Sequence, residues 1–482
     1  MFPCDAGAWR QRWTALAASA VLGGCSPFYE LSPDVRQRIA DESARLTPAI
    51  TDHDAVRGVA AAAVRGELPL PEPIAIPADA ALVDYIGLAL ARNPRLQARI
   101  RDVEAAGMRV PQIASPNDPM LALVPPTGDM VQTAGGEMAG AIGLSQNLPW
   151  PGKLAARGHA AEQVVRVALA DLDRERLRVV AEVKQAYYDL YLAQVSIDVT
   201  RQVEALLQRV RDSAQARVAA GRASQQDLLR AEVELYSLTN SRIDHEQALA
   251  VARARLNILM DRAVDAELPL PAPIEPEPVQ WRLLALLGHA DEAGPQLAAL
   301  RRRIEVDLAR RQLAELAYYP DFSLGGLFTF ISNGGRSPVA DGSDVWNLNL
   351  GVTLPIWLDK IDAGVLEQNA RALASVLRYR SERNEVMFAL QRLLVRVDAD
   401  YRKAVLLRDG ILPRADQAVR VARAGYDAGS VEFETLLAGW RRFADLSLDY
   451  HRALAALEHD VSELELVAGG DLARQQPQET PK

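Results

Sequence analysis

The side chains best suited to nucleophilic or metal chemistry are few in this chain and lie far apart. Its only two cysteines, Cys4 and Cys25, are both close to the N-terminus. No pair of histidines has the HExxH spacing of a zinc site. The six histidines are His53, His159, His245, His289, His451 and His459. The sequence therefore favours a protein that is not an enzyme and that has no resident cofactor or metal.

Cys25 has a different chemistry open to it. Two arginines precede WTALAASAVLGG, an apolar run of signal-peptide length that is too short to span a bilayer as a stable helix. The stretch 22–25, LGGC, resembles a bacterial lipobox, in which the cysteine thiol is acylated. A plain signal peptide with an incidental cysteine is the simpler alternative. We expect residues 1–24 to be a lipoprotein signal peptide and Cys25 to be lipidated, and Ser26 favours the outer membrane.

The sequence that follows contains an internal duplication. ELPLPEPI begins at Glu67 and ELPLPAPI at Glu267, and further landmarks recur at an offset of about 200 residues. These landmarks are Pro94 with Pro295, Pro119 with Pro320, Leu148 with Leu354, and Gly221 with Gly429. The sequence thus predicts two repeats, 67–266 and 267–469. Residues 25–66 are expected to be an extended N-terminal linker, and 470–482 a disordered tail.

Each repeat changes periodicity in the same order. Helical spacing is followed by alternating apolar and small polar residues, which predict a β-hairpin at about 119–149 and another at about 320–355. A long helical pattern follows each hairpin, at about 153–219 and about 361–427. At 1.5 Å per residue the first would be a rod of roughly 100 Å. The second contains Pro413, which predicts a kink.

The alternation assigns faces to the predicted strands. On the apolar faces we place Met138, Ile142, Leu144 and Leu148; Phe322, Leu324, Phe328 and Phe330; and Trp346, Leu348, Leu350, Val352 and Leu354. A weaker strand pattern covers 120–124. Four strands of this kind leave open edges in lipid, whereas the smallest single-chain barrels use about 8 strands. The pattern therefore favours closure by other copies of the chain, although a soluble periplasmic β-layer would show similar alternation.

Several motifs, taken in their order along a duplicated chain, carry a family resemblance. They are LSQNLPWPGKL at 144–154, YYPDFSL at 318–324, VTLPIWLDK at 352–360 and ILPRA at 411–415. In this arrangement the chain resembles the TolC family of outer-membrane efflux channels. The resemblance implies a mainly α fold with a small β part, in which four strands per protomer contribute to the 12-stranded outer-membrane barrel of a homotrimer. Long helices would form a periplasmic α-barrel.

The resemblance also implies partners and a location. It predicts a passive conduit in the outer membrane of a Gram-negative bacterium, lipid-anchored and extending into the periplasm. A periplasmic adaptor and an inner-membrane pump would deliver the solute. LPWPGKL resembles members that accompany heavy-metal exporters of the resistance-nodulation-division type. Nucleic acid is not expected as a partner, since the net charge is -9.

The resemblance further assigns roles near the two glycine turns. Asp227 and Tyr426 match a linked polar pair that holds the closed tip of family channels, so we expect them to form the gate. Adaptors dock in this family around the turns that correspond to Gly221, Arg222, Gly429 and Ser430. Simpler readings exist, because a first-turn carboxylate favours a helix N-terminus and glycines end helices.

The match to the family's gate is incomplete. The arginine expected two residues after Gly429 is Val431, and the carboxylates that ring the constriction in other members fall at Thr435 and Ala438. Either the seal is weaker here and binds cations less, or nearby acidic residues such as Asp212, Asp427 or Glu432 supply the ring of carboxylates. Two further readings stay open: the channel of a type I protein-secretion system, and a structural coiled-coil lipoprotein that conducts nothing.

Overall fold

A computed structural model describes residues 29–46, 53–67, 71, 74–126, 132–133, 135–220, 224–334, 339 and 341–472. The signal-peptide region 1–24, Cys25, Gly221, Arg222 and the tail from residue 473 lie outside the described residues. The described part is mainly helical with one small antiparallel sheet, which confirms the predicted fold class.

The helices and strands follow the same order in the two halves of the chain. The first half has α1 Pro33–Ser43, α2 His53–Arg65, α3 Leu82–Arg92, α4 Pro94–Ala114, β1 Met120–Val124, β2 Gln132–Thr133, β3 Gly136–Leu148, α5 Pro151–Ala219 and α6 Gln225–Leu259. The second has α7 Leu283–Ala293, α8 Pro295–Glu315, β4 Asp321–Ser332, β5 Val345–Thr353, α9 Leu358–Val405, α10 Leu412–Ala428 and α11 Phe433–Ala468. The order helix pair, hairpin, long helix and return helix therefore occurs twice.

The long helices differ between the halves. Helix α5 runs for 69 residues without interruption. The corresponding stretch of the second half is not one helix, because a π-helical turn, Leu406–Ile411, separates α9 from α10. Pro413 then stands in the first turn of α10, where a proline needs no amide donor. The kink predicted at Pro413 thus takes the form of a widened turn just before it.

The prediction of an extended linker over 25–66 is wrong for two segments, since α1 and α2 are helices. Helix α1 is short and mostly polar, so its composition resembles that of a linker. Within it Val35 is only 2% exposed, and this burial gives the segment a fixed place in the fold. Its two large apolar residues, Val35 and Ile39, form too short a pattern to be read as a helix from the sequence alone.

The sheet has the strand order β1-β3-β4-β5, with the two-residue β2 pairing beside β3. Ile142 lies opposite Phe328, and the even-numbered side chains of β4 are the exposed ones, as predicted. A β-bulge between Met138 and Gly140 then places Met138 opposite Ile331. The prediction that Met138 shares a face with Ile142 is therefore wrong, because one extra residue reverses the alternation.

The chain forms two compact units, which are described separately. The first combines described residues of 1–41, 103–168 and 300–378 and contains the sheet; the second combines those of 42–102, 169–299 and 379–482. Among the apolar cores of the second unit, two are built from matching positions of the two halves. Ala89, Val183 and Leu256 of one core correspond to Ala290, Leu390 and Leu464 of the other. The duplication is therefore visible in packing as well as in sequence.

Candidate functional site

The turn after α10 depends on a glycine. Gly429 has φ 79°, in the left-handed region that disfavours residues with a Cβ. Ser430 follows it and donates its amide to the carbonyl of Gly425 at 2.9 Å, and its hydroxyl does so at 3.1 Å. These bonds satisfy a carbonyl at the helix end. Helix termination therefore accounts for Gly429 and Ser430, and a docking role for them stays a prediction.

The start of α6 contains Asp227. Ser224 caps this helix, because its hydroxyl accepts a hydrogen bond from the amide of Gln226 at 3.1 Å. Asp227 lies in the first turn, where a carboxylate is favoured by the positive end of the helix dipole. The local fold thus explains why an acidic residue stands here, whether or not it also gates.

A cleft of about 350 Å³ brings the two predicted gate residues together. Its lining consists of Arg217, Asp227, Arg230, Tyr426, Gly429, Ser430, Val431, Glu432, Phe433 and Glu434. The Tyr426 hydroxyl is buried and has no hydrogen-bond partner within the described part of the chain. Burial raises the pKa of Tyr426, and Arg217 opposes this rise while Asp227 adds to it. Asp227 thus lines the same cleft as Tyr426 without a hydrogen bond to its hydroxyl.

Arg217, near the end of α5, is the residue that sequence reasoning missed. Its Nη1 donates to the carbonyl oxygen of Tyr426 at 2.7 Å, and its guanidinium lies 4.7 Å from the centre of the Tyr426 ring. The two residues are 209 positions apart, so no local motif could pair them. Arg217 thus ties the end of the long first-half helix to the end of α10.

Two ion pairs continue this connection along α6 and α11. Arg230 pairs with Glu434 at 2.9 Å, and Arg441 pairs with Glu234. Beneath them lies an apolar cluster that both halves build. Its buried members are Leu207, Val210, Ala231, Val419, Tyr426, Phe433, Leu436, Leu437 and Trp440. Polar links at the surface and apolar packing below therefore hold the two helix pairs together.

The positions that depart from the family's gate have ordinary surroundings. Val431 packs against Gly425, while Thr435 and Ala438 are exposed on α11. Of the suggested replacements, Asp212 pairs with its neighbour Arg211, and Glu432 lines the cleft. Asp427 contributes to the raised pKa of Tyr426. Arginine is thus supplied to this cleft from the first half, by Arg217 and Arg230.

A second polar junction lies at the base of the sheet, in the first compact unit. Lys153 donates from Nζ to Asp321 Oδ1 and to the carbonyl of Tyr319, both at 2.8 Å. The Trp150 amide donates to the same Asp321 oxygen at 2.8 Å, and its ring stacks on Tyr319 with centroids 5.1 Å apart. The LPWPGKL and YYPDFSL motifs are therefore two sides of one junction between the repeats.

Two kinds of feature are absent from the described residues. No helix among them combines the length and apolar character required to cross a membrane. No three side chains of the histidine, cysteine, aspartate or glutamate type come together there as a metal site.

Known proteins resemble the chain over most of its length. The cobalt-zinc-cadmium resistance protein CzcC of Cupriavidus metallidurans is 23% identical over 390 residues, which cover 80% of this chain and 88% of that protein. Protein CyaE of Bordetella pertussis is 27% identical over 369 residues, covering 73% and 74%. The crystal structure of the outer membrane protein VceC of Vibrio cholerae superposes with a TM-score of 0.66 at 17% identity, covering 81% and 96%.

The duplicated helix pairs, the matched cores and the open four-stranded sheet define a TolC-like channel protomer. The model of the outer membrane efflux protein family matches residues 85–260 and 286–470, which together make up well over half of the chain. The chain belongs to the outer membrane efflux protein family, and its role is that of an efflux channel. The two matched segments also agree with the duplication that the repeated octets predict.

Proposed function

We propose that this chain is the outer-membrane component of a tripartite efflux system and works as a homotrimer with a periplasmic adaptor and an inner-membrane pump. The channel is passive, and the pump supplies the work. The observation that carries the proposal is the open sheet. Across the described strands, β1 and β5 each pair on one side only.

The exposed faces of this sheet support closure by further copies. Trp346 and Leu350 on the edge strand β5 are 74% and 76% exposed in the single chain. In lipid, each unpaired backbone group of an open edge costs several kcal/mol, so an isolated sheet of this size is unfavourable there. Three copies would join β5 of one chain to β1 of the next and give the 12 strands that the family resemblance implies.

The location follows from the same reading. We propose that residues 1–24 are removed, that Cys25 is acylated, and that outer-membrane lipid receives the anchor while the helices extend into the periplasm. Labelling with radioactive palmitate tests this part. We expect label on the wild type and none on Cys25→Ala.

The gate and the docking surface are proposed at the helix turns. Asp227 and Tyr426 line one cleft, and Arg217 supplies the cation that Val431 does not. Adaptor hairpins would dock around Gly221, Arg222, Gly429 and Ser430. A photo-crosslinking amino acid at Ser430 should capture the adaptor in whole cells. The same probe at Lys360, on a solvent-exposed position of α9, is the control.

The pump and the solute are proposed from the named relatives. Similarity to a cobalt-zinc-cadmium resistance protein, together with LPWPGKL, supports a heavy-metal pump of the resistance-nodulation-division type. A deletion strain should become sensitive to cobalt, zinc and cadmium more than to drugs or dyes. Unchanged metal tolerance with loss of a secreted protein would favour the type I secretion reading instead.

Conduction separates a channel from a structural lipoprotein. The purified protein in a planar bilayer should give discrete conductance steps, because a trimer would enclose a water-filled path. A coiled-coil lipoprotein without a pore would leave the bilayer current flat.

A further inference from the structure

Residues 29–34, here called the strap, are bonded to one glutamate of α5. The Tyr29 hydroxyl donates to Glu162 Oε2 at 2.7 Å, and the Ser32 amide donates to the same oxygen at 3.0 Å. The Ser32 hydroxyl donates to Glu162 Oε1 at 2.6 Å. Three donors from a six-residue segment thus converge on a single carboxylate that is 2% exposed.

Arg166, one turn further along α5, completes this arrangement. Its Nη1 donates to Asp34 Oδ2 at 2.9 Å, and its Nη2 lies 2.9 Å from both Glu162 Oε1 and Ser32 Oγ. Burial raises the pKa of Glu162, but the hydrogen bonds from Ser32, Tyr29 and Arg166 outweigh it and leave the pKa below its ordinary value. The carboxylate is therefore ionised, and both of its oxygens accept hydrogen bonds.

A glycine in the same helix makes room for the strap. A Cβ on Gly158 would lie 2.4 Å from Cγ of Tyr29, closer than any real contact. A glycine inside a helix costs about 1 kcal/mol relative to alanine, so its presence in α5 calls for a reason. Packing of the Tyr29 ring supplies that reason. Gly158, Glu162 and Arg166, one turn apart along one helix, form what we call the socket.

Tyr29, the first residue of the strap, lies only four positions after Cys25 in the sequence. Four residues span at most about 14 Å, so an acyl chain on Cys25 would enter the membrane within that distance of Tyr29. The strap and the socket also belong to the same compact unit as the strands of the sheet. An anchor held there is tied to the part of the chain that must itself enter the membrane.

We propose that the socket is an anchor-positioning site, which holds the acylated N-terminus beside the sheet so that lipid and strands enter the outer membrane together. The inference rests on the lipoprotein part of the proposed function. It adds Gly158, Glu162 and Arg166 as residues on which membrane assembly depends. They bind a segment of the chain itself and take no part in conduction.

The test uses Gly158→Ala in the full-length protein. The substitution favours the helix but removes the space of the Tyr29 ring, so trypsin should cleave at Arg36 at least about 10-fold faster than in the wild type. Palmitate labelling should not change, while the yield of heat-resistant trimer in the outer membrane should fall severalfold. Gly364→Ala is the matched control, because a Cβ there meets nothing within 4 Å.

A second variant changes the strap and leaves α5 intact. Tyr29→Ala combined with Ser32→Ala removes two of the three strap donors to Glu162, the hydroxyls, and leaves only the Ser32 amide. It should reproduce the loss of trimer. Release of the strap with a normal trimer yield would overturn the proposal, as would failure of both variants to release it. Absence of palmitate label on the wild type would also overturn the proposal, because no acylated anchor would then exist. If that unlabelled protein still conducts in a planar bilayer, the proposed channel function stands.

Discussion

At the scale of the residue, the structure shows polar contacts between residues that lie far apart in the sequence. Arg217 ties two helix ends through one carbonyl and one aromatic ring. A charge-assisted hydrogen bond contributes about 1.5–3 kcal/mol, and a cation–π contact adds about 0.5–1 kcal/mol. A contribution of this size is enough to shift an equilibrium between two states more than about 10-fold.

Arg217→Ala should weaken the closed tip. Loss of about 1.4 kcal/mol would raise the ratio of open to closed channels about 10-fold. Single-channel recording of open probability measures this ratio, and Arg209→Ala is the control, because Arg209 donates to the carbonyl of Ala205 within its own helix. Equal open probabilities in the Arg217 and Arg209 variants would show that Arg217 does not hold the gate closed.

Asp460 offers a prediction on pH. Burial raises the pKa of Asp460 to about 6, against the opposing effect of Arg396, whose Nη2 lies 2.8 Å away. The folded chain therefore binds more protons than the unfolded chain between the ordinary carboxyl pKa, about 4, and about 6, and stability falls as pH rises through this window. Above it, Asp460→Asn should stabilise the protein by about 1–3 kcal/mol.

Thermal unfolding in detergent at pH 4 and pH 8 measures this effect. The wild type should lose more stability than Asp460→Asn between the two values. Asp398→Asn, at an exposed position on α9, is the control and should follow the wild type. Parallel profiles for the wild type and Asp460→Asn would contradict the assigned role of burial.

At the scale of the element, the two repeats are joined by a side chain from the start of α5 and one from the start of β4. Lys153 in α5 reaches the first residue of β4, and its own side chain is 11% exposed. The junction explains why LPWPGKL contains a lysine and YYPDFSL an aspartate. Removing one partner of an ion pair costs more stability when the remaining charge is buried than when the pair is exposed to solvent.

Lys153→Ala should loosen this junction. The partly buried contacts to Asp321 and to the Tyr319 carbonyl would be lost, and the expected cost is about 1–3 kcal/mol. The temperature at which trimers dissociate on a gel measures it, with Lys360→Ala as the control at an exposed position. A dissociation temperature equal to that of the control would show that the junction contributes little.

The elements also show what the sequence could and could not predict. Periodicity located α5 within two residues of its start, and the alternation gave the exposed face of β4. It failed at Met138, because a bulge leaves no pattern of its own in a stretch of small residues. It failed at α1 as well, because Val35 is the only fully buried apolar residue of a mostly polar helix. The contact of Arg217 joins segments too distant for any local signal.

At the scale of the whole molecule, the account depends on one incomplete sheet. Four paired strands end at β1 on one side and at β5 on the other. The family to which the chain belongs makes an outer-membrane channel of such protomers, and the proposed trimer joins the free edges. We propose that the Gly158 socket acts on the assembly of this trimer and that the Arg217 contact acts on its opening.

Cysteine cross-linking of the two edges tests this claim most directly. One cysteine is placed at each position of β1 in turn and another at each position of β5, in protein oxidised within the outer membrane. A control pair, Ile142→Cys with Phe328→Cys, joins neighbouring strands of one chain. We predict covalent species up to a trimer, and none larger, for the edge pairs in register. Monomers alone from every edge pair, with the control pair oxidised, would contradict the account.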